Sequence, residues 1–147
     1  MASVLTGCAG PEVPAAVATA DGAATLMWKF CDAERGIGDV AVARVTDDAP
    51  EDWPTVWRAR LDDGATPLHD VPVAASIDGY LVETQDWPLR PGARYAVVDA
   101  SDAEGYDVLF VVLEFEVPTD GQPALTAEPE TALDLAGWLG RDGPSCG

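Results

Sequence analysis

Residues 89–100 read LRPGARYAVVDA, and this stretch decides the class of fold. Pro91-Gly92 is a strong turn signal, because proline presets its own φ and glycine tolerates the positive φ that tight turns require. The residues after it, 93–100, are rich in the aromatic and β-branched types that favour strands. We therefore predict a tight turn that leads directly into a β-strand.

Working outward, five more segments have the same character, with turn clusters such as DDAPEDWP, DDGATP and DAEG between them. Short strands separated by turn signals at intervals of about ten residues are typical of an antiparallel sandwich or barrel. The sequence therefore predicts an all-β, antiparallel β-sandwich. The five further predicted strands are residues 25–31, 39–45, 55–61, 80–84 and 106–117.

Alternation within these strands predicts the core, because a half-buried strand turns every second side chain inward. Arg58 and Arg60 are expected in solvent, as are Glu114 and Glu116. The predicted core rows are Leu26, Trp28 and Phe30; Trp57, Ala59 and Leu61; and Leu109, Val111, Leu113, Phe115 and Val117.

The domain plan predicted from composition has three parts. Residues 1–22 are expected to be the end of a signal peptide and a tether, 23–117 the sandwich, and 118–147 a tail packed on it. Pro118, Pro123 and Pro129 discourage a further strand in the tail. One short helix is predicted at 130–139, with apolar contacts from Leu133, Leu135 and Trp138.

The chain has 147 residues and a formal net charge of −18. Nucleic acid is an unexpected partner, because phosphate binding requires a basic face. Anionic lipid headgroups are disfavoured for the same reason. In one interpretation the many acidic residues keep the protein soluble. In another they bind cations or a basic partner. No cofactor is expected.

Residues Leu5-Thr6-Gly7-Cys8 resemble the bacterial lipobox at the end of a lipoprotein signal peptide. The resemblance implies that Cys8 is diacylated on sulfur and becomes the mature N-terminus, so that acyl chains attach the protein to the membrane. The basic and apolar segments that precede such a motif are not among residues 1–7. The expectation is therefore a truncated chain or a start site placed too far downstream.

Two cysteines, Cys31 and Cys146, remain once Cys8 is assigned to a lipid. An even pair in an exported domain favours a disulfide. The alternative is a pair of reduced thiols in a cytoplasmic protein. No pair of cysteines has Cys-x-x-Cys spacing and His69 is the only histidine, so the sequence gives little support to a metal site.

Residues 89–100 resemble the tyrosine corner of fibronectin type III domains, through Leu89, Pro91 and Tyr95. In such corners the tyrosine hydroxyl bonds to nearby backbone while the ring packs in the core. Residues 25–30, TLMWKF, are similar to the B strand of those domains, with Trp28 in the core. The resemblance implies an immunoglobulin-like sandwich. The long acidic insertion at 47–54 and the C-terminal tail depart from the family pattern.

Candidate sites are few. His69 is interpreted as a surface loop histidine rather than part of a triad, because no nucleophile is evident beside it. A weak calcium candidate is the acidic turn that contains Asp99, Asp102, Glu104 and Asp107. Trp53 and Trp87 each lie between an aspartate and a proline outside the strands. They are either exposed anchors for a glycan or protein partner, or lids over one end of the core.

These observations indicate a lipid-anchored, non-catalytic binding or structural module at the outer face of the cytoplasmic membrane. The single lysine and frequent alanine suggest a GC-rich source, and the chain resembles small actinobacterial lipoproteins of this build. Its expected partners are the membrane and an envelope protein or cell-wall glycan. The alternatives are an accessory subunit of a larger envelope complex, with the Trp53 and Trp87 loops and the tail as contact surface, and an acid-rich envelope hydrolase.

Overall fold

The computed structural model describes residues 15–20, 23–30, 35–109, 112–120 and 122–128. In these residues the protein is an antiparallel β-sandwich, as predicted, built from a four-stranded and a five-stranded sheet. The strands of the first sheet are β1 (Ala15–Ala20), β2 (Ala23–Trp28), β5 (Asp70–Pro72) and β9 (Ala124–Glu128). The strands of the second are β3 (Ile37–Arg44), β4 (Thr55–Leu61), β6 (Tyr80–Thr84), β7 (Arg94–Asp102) and β8 (Leu113–Glu116).

The strand order is β5-β2-β1-β9 in the first sheet and β6-β4-β3-β7-β8 in the second. Strands β4 and β6 have the bounds that the sequence predicts, while β2, β3 and β7 differ from the prediction by a few residues. Among the described residues of the strand predicted at 106–117, Leu113–Glu116 form a ladder, as β8, and Asp107 makes an isolated bridge to Ser101.

The core lies between the two sheets and contains the rows that alternation predicts. Leu26, Trp57, Ala59 and Val117 are 0% exposed. Phe30, Leu61 and Leu109 are half-buried against the same core. Val111 lies outside the described residues.

The tether prediction is wrong for Ala15–Ala20, which forms a central strand of the first sheet. This strand pairs with β2 on one side and with β9 on the other. Its small apolar side chains do not alternate with polar ones, because Ala15 and Val17 face the core while Ala16 packs with Met27 and Ala127 on the other side of the sheet. A strand with two apolar faces lacks the alternation from which strands are predicted.

The prediction of a strandless tail is also wrong, because β9 lies within it and pairs with β1. Pro123 and Pro129 bound this strand instead of interrupting it. The described sandwich therefore extends from residue 15 to residue 128, beyond the predicted limits of 23 and 117. The helix predicted at 130–139 lies outside the described residues.

Candidate functional site

One end of the sandwich holds both tryptophans that were predicted as anchors or lids. Trp53 is half-buried, and its indole N–H lies 2.9 Å from the carbonyl oxygen of Asp48 and 3.2 Å from that of Thr46, in the loop that joins β3 to β4. Trp87 is half-buried and packs against the core. The indole N–H of Trp53 thus has acceptors in its own loop, and the side chain of Trp87 packs on the core. Whether either tryptophan acts as a lid stays a prediction. Binding of a glycan or protein by these indoles stays a prediction.

Ion pairs join the loops at this end. Asp86 accepts from Arg44 at 3.3 Å and from Arg90 at 2.8 Å. The backbone N–H of Arg44 also donates to the carbonyl of Pro54 at 2.9 Å. The loops that carry Trp53 and Trp87 are thus held together through residues beside the tryptophans.

The opposite end is organised around Asp102, the last residue of β7. Its carboxylate pairs with Arg35 and accepts the backbone N–H groups of Glu104 at 2.9 Å and Tyr106 at 3.0 Å. Burial alone would raise the pKa of Asp102, but these donors outweigh it and hold the pKa below its ordinary value. Gly38 must be a glycine here, because a Cβ would contact the backbone of Asp102 and Ala103.

The calcium candidate is not assembled by this fold. Asp102 faces Arg35, so its oxygens are occupied by donors, while Asp99 lies on the outer face of the sheet within 4.0 Å of Arg58. Glu104 and Asp107 are exposed. The described residues contain no group of three or more His, Cys, Asp or Glu side chains that could hold a metal ion. The four acids of the weak candidate are therefore not brought together, because Asp99 and Asp102 point to opposite faces of β7.

His69 lies at the same end and packs on an aromatic ring. Its imidazole is 5.5 Å from the ring of Phe30, and the guanidinium of Arg35 lies 5.4 Å from the same ring. The side chain is half-buried rather than fully exposed. A shallow depression of about 380 Å³ lies nearby, and its acidic lining includes Asp39, Asp62 and Asp63.

The outer face of the five-stranded sheet carries a lattice of ion pairs. Arg58 of β4 makes two bonds to Asp39 of β3, at 3.0 and 2.7 Å, and this contact raises the pKa of Arg58. Arg60 pairs with Glu83 at 3.3 Å and Arg94 with Glu114 at 2.9 Å. Each arginine in the described part of the chain is engaged in at least one ion pair.

A groove of about 300 Å³ lies where β4 and β6 meet, close to the free edge of the second sheet. Its walls are residues 55–58 of β4 and Glu83, Thr84 and Gln85. Leu81 of β6 is 56% exposed beside it. Sequence reasoning missed this surface, because residues 80–84 show an ordinary strand pattern that does not say whether the strand is central or at an edge.

The three cysteines, Cys8, Cys31 and Cys146, lie outside the described residues. The described chain contains no helix of the length and apolarity that a membrane span requires. Comparisons of the chain with protein-family models, with curated proteins and with solved structures found no match.

Proposed function

We propose that the chain is a non-catalytic binding module of the bacterial cell envelope, held at the outer face of the cytoplasmic membrane by acyl chains on Cys8. The observation that carries the binding role is the pairing of the arginines. Every arginine in the described residues is already engaged by a carboxylate of the same chain. With 26 acidic and 8 basic residues in the whole sequence, the charge that remains is strongly negative.

Such a surface favours partners that bring positive charge, since complementary potentials speed encounter and suppress wrong partners. The ion pairs also cross from strand to strand on one face, as Arg58 does between β4 and β3. Exposed pairs contribute only about 0.2–1 kcal/mol each to folding. Their main effect here is that carboxylates of the same chain neutralise the positive charges on the sheet surface.

Acid–base chemistry would place a carboxyl of raised pKa in one of the two depressions described above. Desolvation raises the pKa of Asp70, although His69 and Lys29 offset part of this effect. Asp70 belongs to the edge strand β5 and lines neither depression. In the depression of about 380 Å³, the pKa of Asp102 is instead lowered. The hydrolase alternative therefore receives no support from these two depressions.

The anchoring part of the proposal is supported by the Leu5-Thr6-Gly7-Cys8 motif. It is tested with the natural gene, including its own upstream sequence, expressed with a C-terminal tag. We expect the protein in salt-washed membranes with an intact mass that includes acyl chains on Cys8, and we expect Cys8→Ser to lose both. An unmodified chain that retains Met1 would overturn the anchoring proposal.

The binding part is tested by gentle detergent extraction of the same membranes, followed by affinity purification through the tag. A partner that elutes in high salt supports an electrostatic binding module. A protein partner at fixed stoichiometry would favour the accessory-subunit alternative, with the Trp53 and Trp87 loops and the C-terminal tail as its contact surface. Retention on purified cell-wall material would instead identify a glycan.

A further inference from the structure

Strand β6 is the outermost strand of the five-stranded sheet and pairs only with β4 in the described part of the chain. The backbone N–H of Gln85 donates to Val56 at 2.8 Å and that of Asp62 donates to Gly79 at 2.9 Å. Because hydrogen-bonded pairs alternate along an antiparallel ladder, Leu81 and Glu83 bond to β4. The N–H and C=O groups of Val82 and Thr84 then point away from the sheet.

The other described sheet edges are protected in ways that β6 is not. Strand β5 has three residues and ends at Pro72, and the edge strands β8 and β9 lie against each other. Natural proteins blunt edges with prolines, lysines, bulges and short strands, because an open edge is a template for another chain. Strand β6 has five residues and contains no proline or lysine. Its Leu81 side chain is 56% exposed.

We propose that β6 accepts an extended, basic segment of a partner protein as a sixth strand of the sheet. This inference rests on the proposed binding function and names the surface and the chemistry of the partner. In strand addition, main-chain hydrogen bonds give affinity, and pockets for alternate side chains give specificity. The outward groups of Val82 and Thr84 supply the hydrogen bonds. The groove of about 300 Å³ beside Thr84 supplies a pocket.

The negative charge of the chain favours a basic partner segment, rather than a second copy of the chain, as the strand that adds to β6. Residues 78–86 read DGYLVETQD and contain three acids and no base. A second copy of β6 would bring the same three acids and no base to this edge. Two chains with a formal charge of −18 each would also repel one another. Glu83 and Asp86 already pair with arginines of this chain. The attraction for lysine or arginine on the added strand therefore comes from Asp78 and from the formal charge of −18 of the whole chain.

The probe for the test is a synthetic ten-residue peptide that alternates Val and Lys, and its match has Glu in place of each Lys. Binding to the purified full chain is measured by calorimetry, and backbone protection by amide hydrogen exchange. We expect the Lys peptide to bind, the Glu peptide to bind at least tenfold more weakly, and binding to slow exchange at Val82 and Thr84. Comparable binding of both peptides, or no binding at millimolar concentration, would overturn the proposal.

The decisive variant is Thr84→Pro, because it removes an N–H that points away from β4 and leaves the ladder with β4 intact. Its matched control is Thr84→Val, which keeps the N–H. We expect Thr84→Pro to weaken binding of the Lys peptide more than tenfold. We expect Thr84→Val to change the affinity for this peptide less than twofold. If Thr84→Pro fails to fold, Leu81→Lys serves instead, since an exposed cation on the edge should weaken the Lys peptide by a similar factor.

The peptide measurements separate this inference from the proposed function. They use the soluble chain and do not depend on acylation of Cys8. If Thr84→Pro still captures the cellular partner at the wild-type yield, the binding module stands and the β6 edge is the wrong surface. Elution of the wild-type chain as a dimer that Thr84→Pro dissociates would identify a second copy as the occupant and would also overturn the inference.

Discussion

The backbone N–H of Arg90 donates to the hydroxyl of Tyr95 at 2.8 Å, across the turn that leads into β7. Tyr95 is 2% exposed, and its ring lies 6.0 Å from that of Phe115. The bond gives the partly buried N–H of Arg90 an acceptor, and it fixes the direction in which the chain enters β7. Tyr95 thus joins the turn to the core, as the resemblance to a tyrosine corner implies.

Replacing Tyr95 by Phe removes the acceptor and keeps the ring. We expect Tyr95→Phe to lower the free energy of unfolding by about 1–3 kcal/mol, because it leaves the N–H of Arg90 without its partner. Urea unfolding followed by tryptophan fluorescence measures the change. The matched control is Tyr106→Phe, since Tyr106 is 67% exposed and should change stability by less than about 0.5 kcal/mol. Equal effects of the two substitutions would contradict the role given to the corner.

Strand β4 could be predicted because it has a single apolar face, whereas β3 and β7 were predicted from their residue types although residues 40–43 and 95–97 are buried in succession. Strand β4 alternates Trp57, Arg58, Ala59 and Arg60, and its predicted bounds are the observed ones. Strand β1 could not be predicted, because Ala16 and Val17 are both buried and no polar face marks the strand. The pairing of β1 with β9 joins segments more than 100 residues apart, which local pattern does not reveal.

The Arg35–Asp102 pair gives a pH prediction. The pKa of Asp102 lies below its ordinary value of 3.8, so the folded state binds its proton less readily than the unfolded state does. The stabilisation is therefore complete above about pH 4 and is lost as the pH falls through the folded-state pKa. We expect Asp102→Asn to cost about 2 kcal/mol at pH 7, with a deficit that shrinks below pH 4. Urea unfolding from pH 3 to pH 7 measures both effects.

Asp107→Asn is the control for this series, because Asp107 is an exposed acid of the same hairpin. The loss in free energy of unfolding caused by Asp107→Asn should be small at every pH. A deficit of Asp102→Asn that stays constant down to pH 3 would show that the loss is steric rather than electrostatic.

Two buried tryptophans differ in the partner of their indole N–H. Trp57 donates to the carbonyl of Ala74 at 2.9 Å, whereas the indole N–H of Trp28 has no acceptor among the described residues. Both side chains are at most 3% exposed. Because Phe removes a satisfied donor in one case and an unsatisfied donor in the other, we expect Trp57→Phe to cost about 1–2 kcal/mol more than Trp28→Phe. Paired urea titrations decide this, and a larger loss for Trp28→Phe would contradict it.

The candidate surfaces were harder to predict than the fold, for reasons that particular residues illustrate. The acidic turn looked like a calcium loop because Asp99 and Asp102 are close in sequence, but the strand sends them to opposite faces. Asp102 belongs with Arg35, 67 residues away along the chain. The open edge at β6 follows from sheet order, which no local pattern encodes. Only Trp53 and Trp87 carried a local signal, an indole beside a proline, and that signal left two interpretations open.

Those two interpretations make different predictions for Trp53→Ala. As a lid, Trp53 closes its own loop through bonds to the carbonyls of Thr46 and Asp48, and its removal should lower the free energy of unfolding by about 1–2 kcal/mol. Retention of the folded variant on purified cell-wall material should then equal that of the wild type. Trp53→Phe keeps an aromatic ring for stacking on a sugar but loses the N–H, so it should share most of the stability loss. Lost retention in Trp53→Ala, with restored retention in Trp53→Phe and unchanged unfolding in both, would instead identify Trp53 as a glycan anchor.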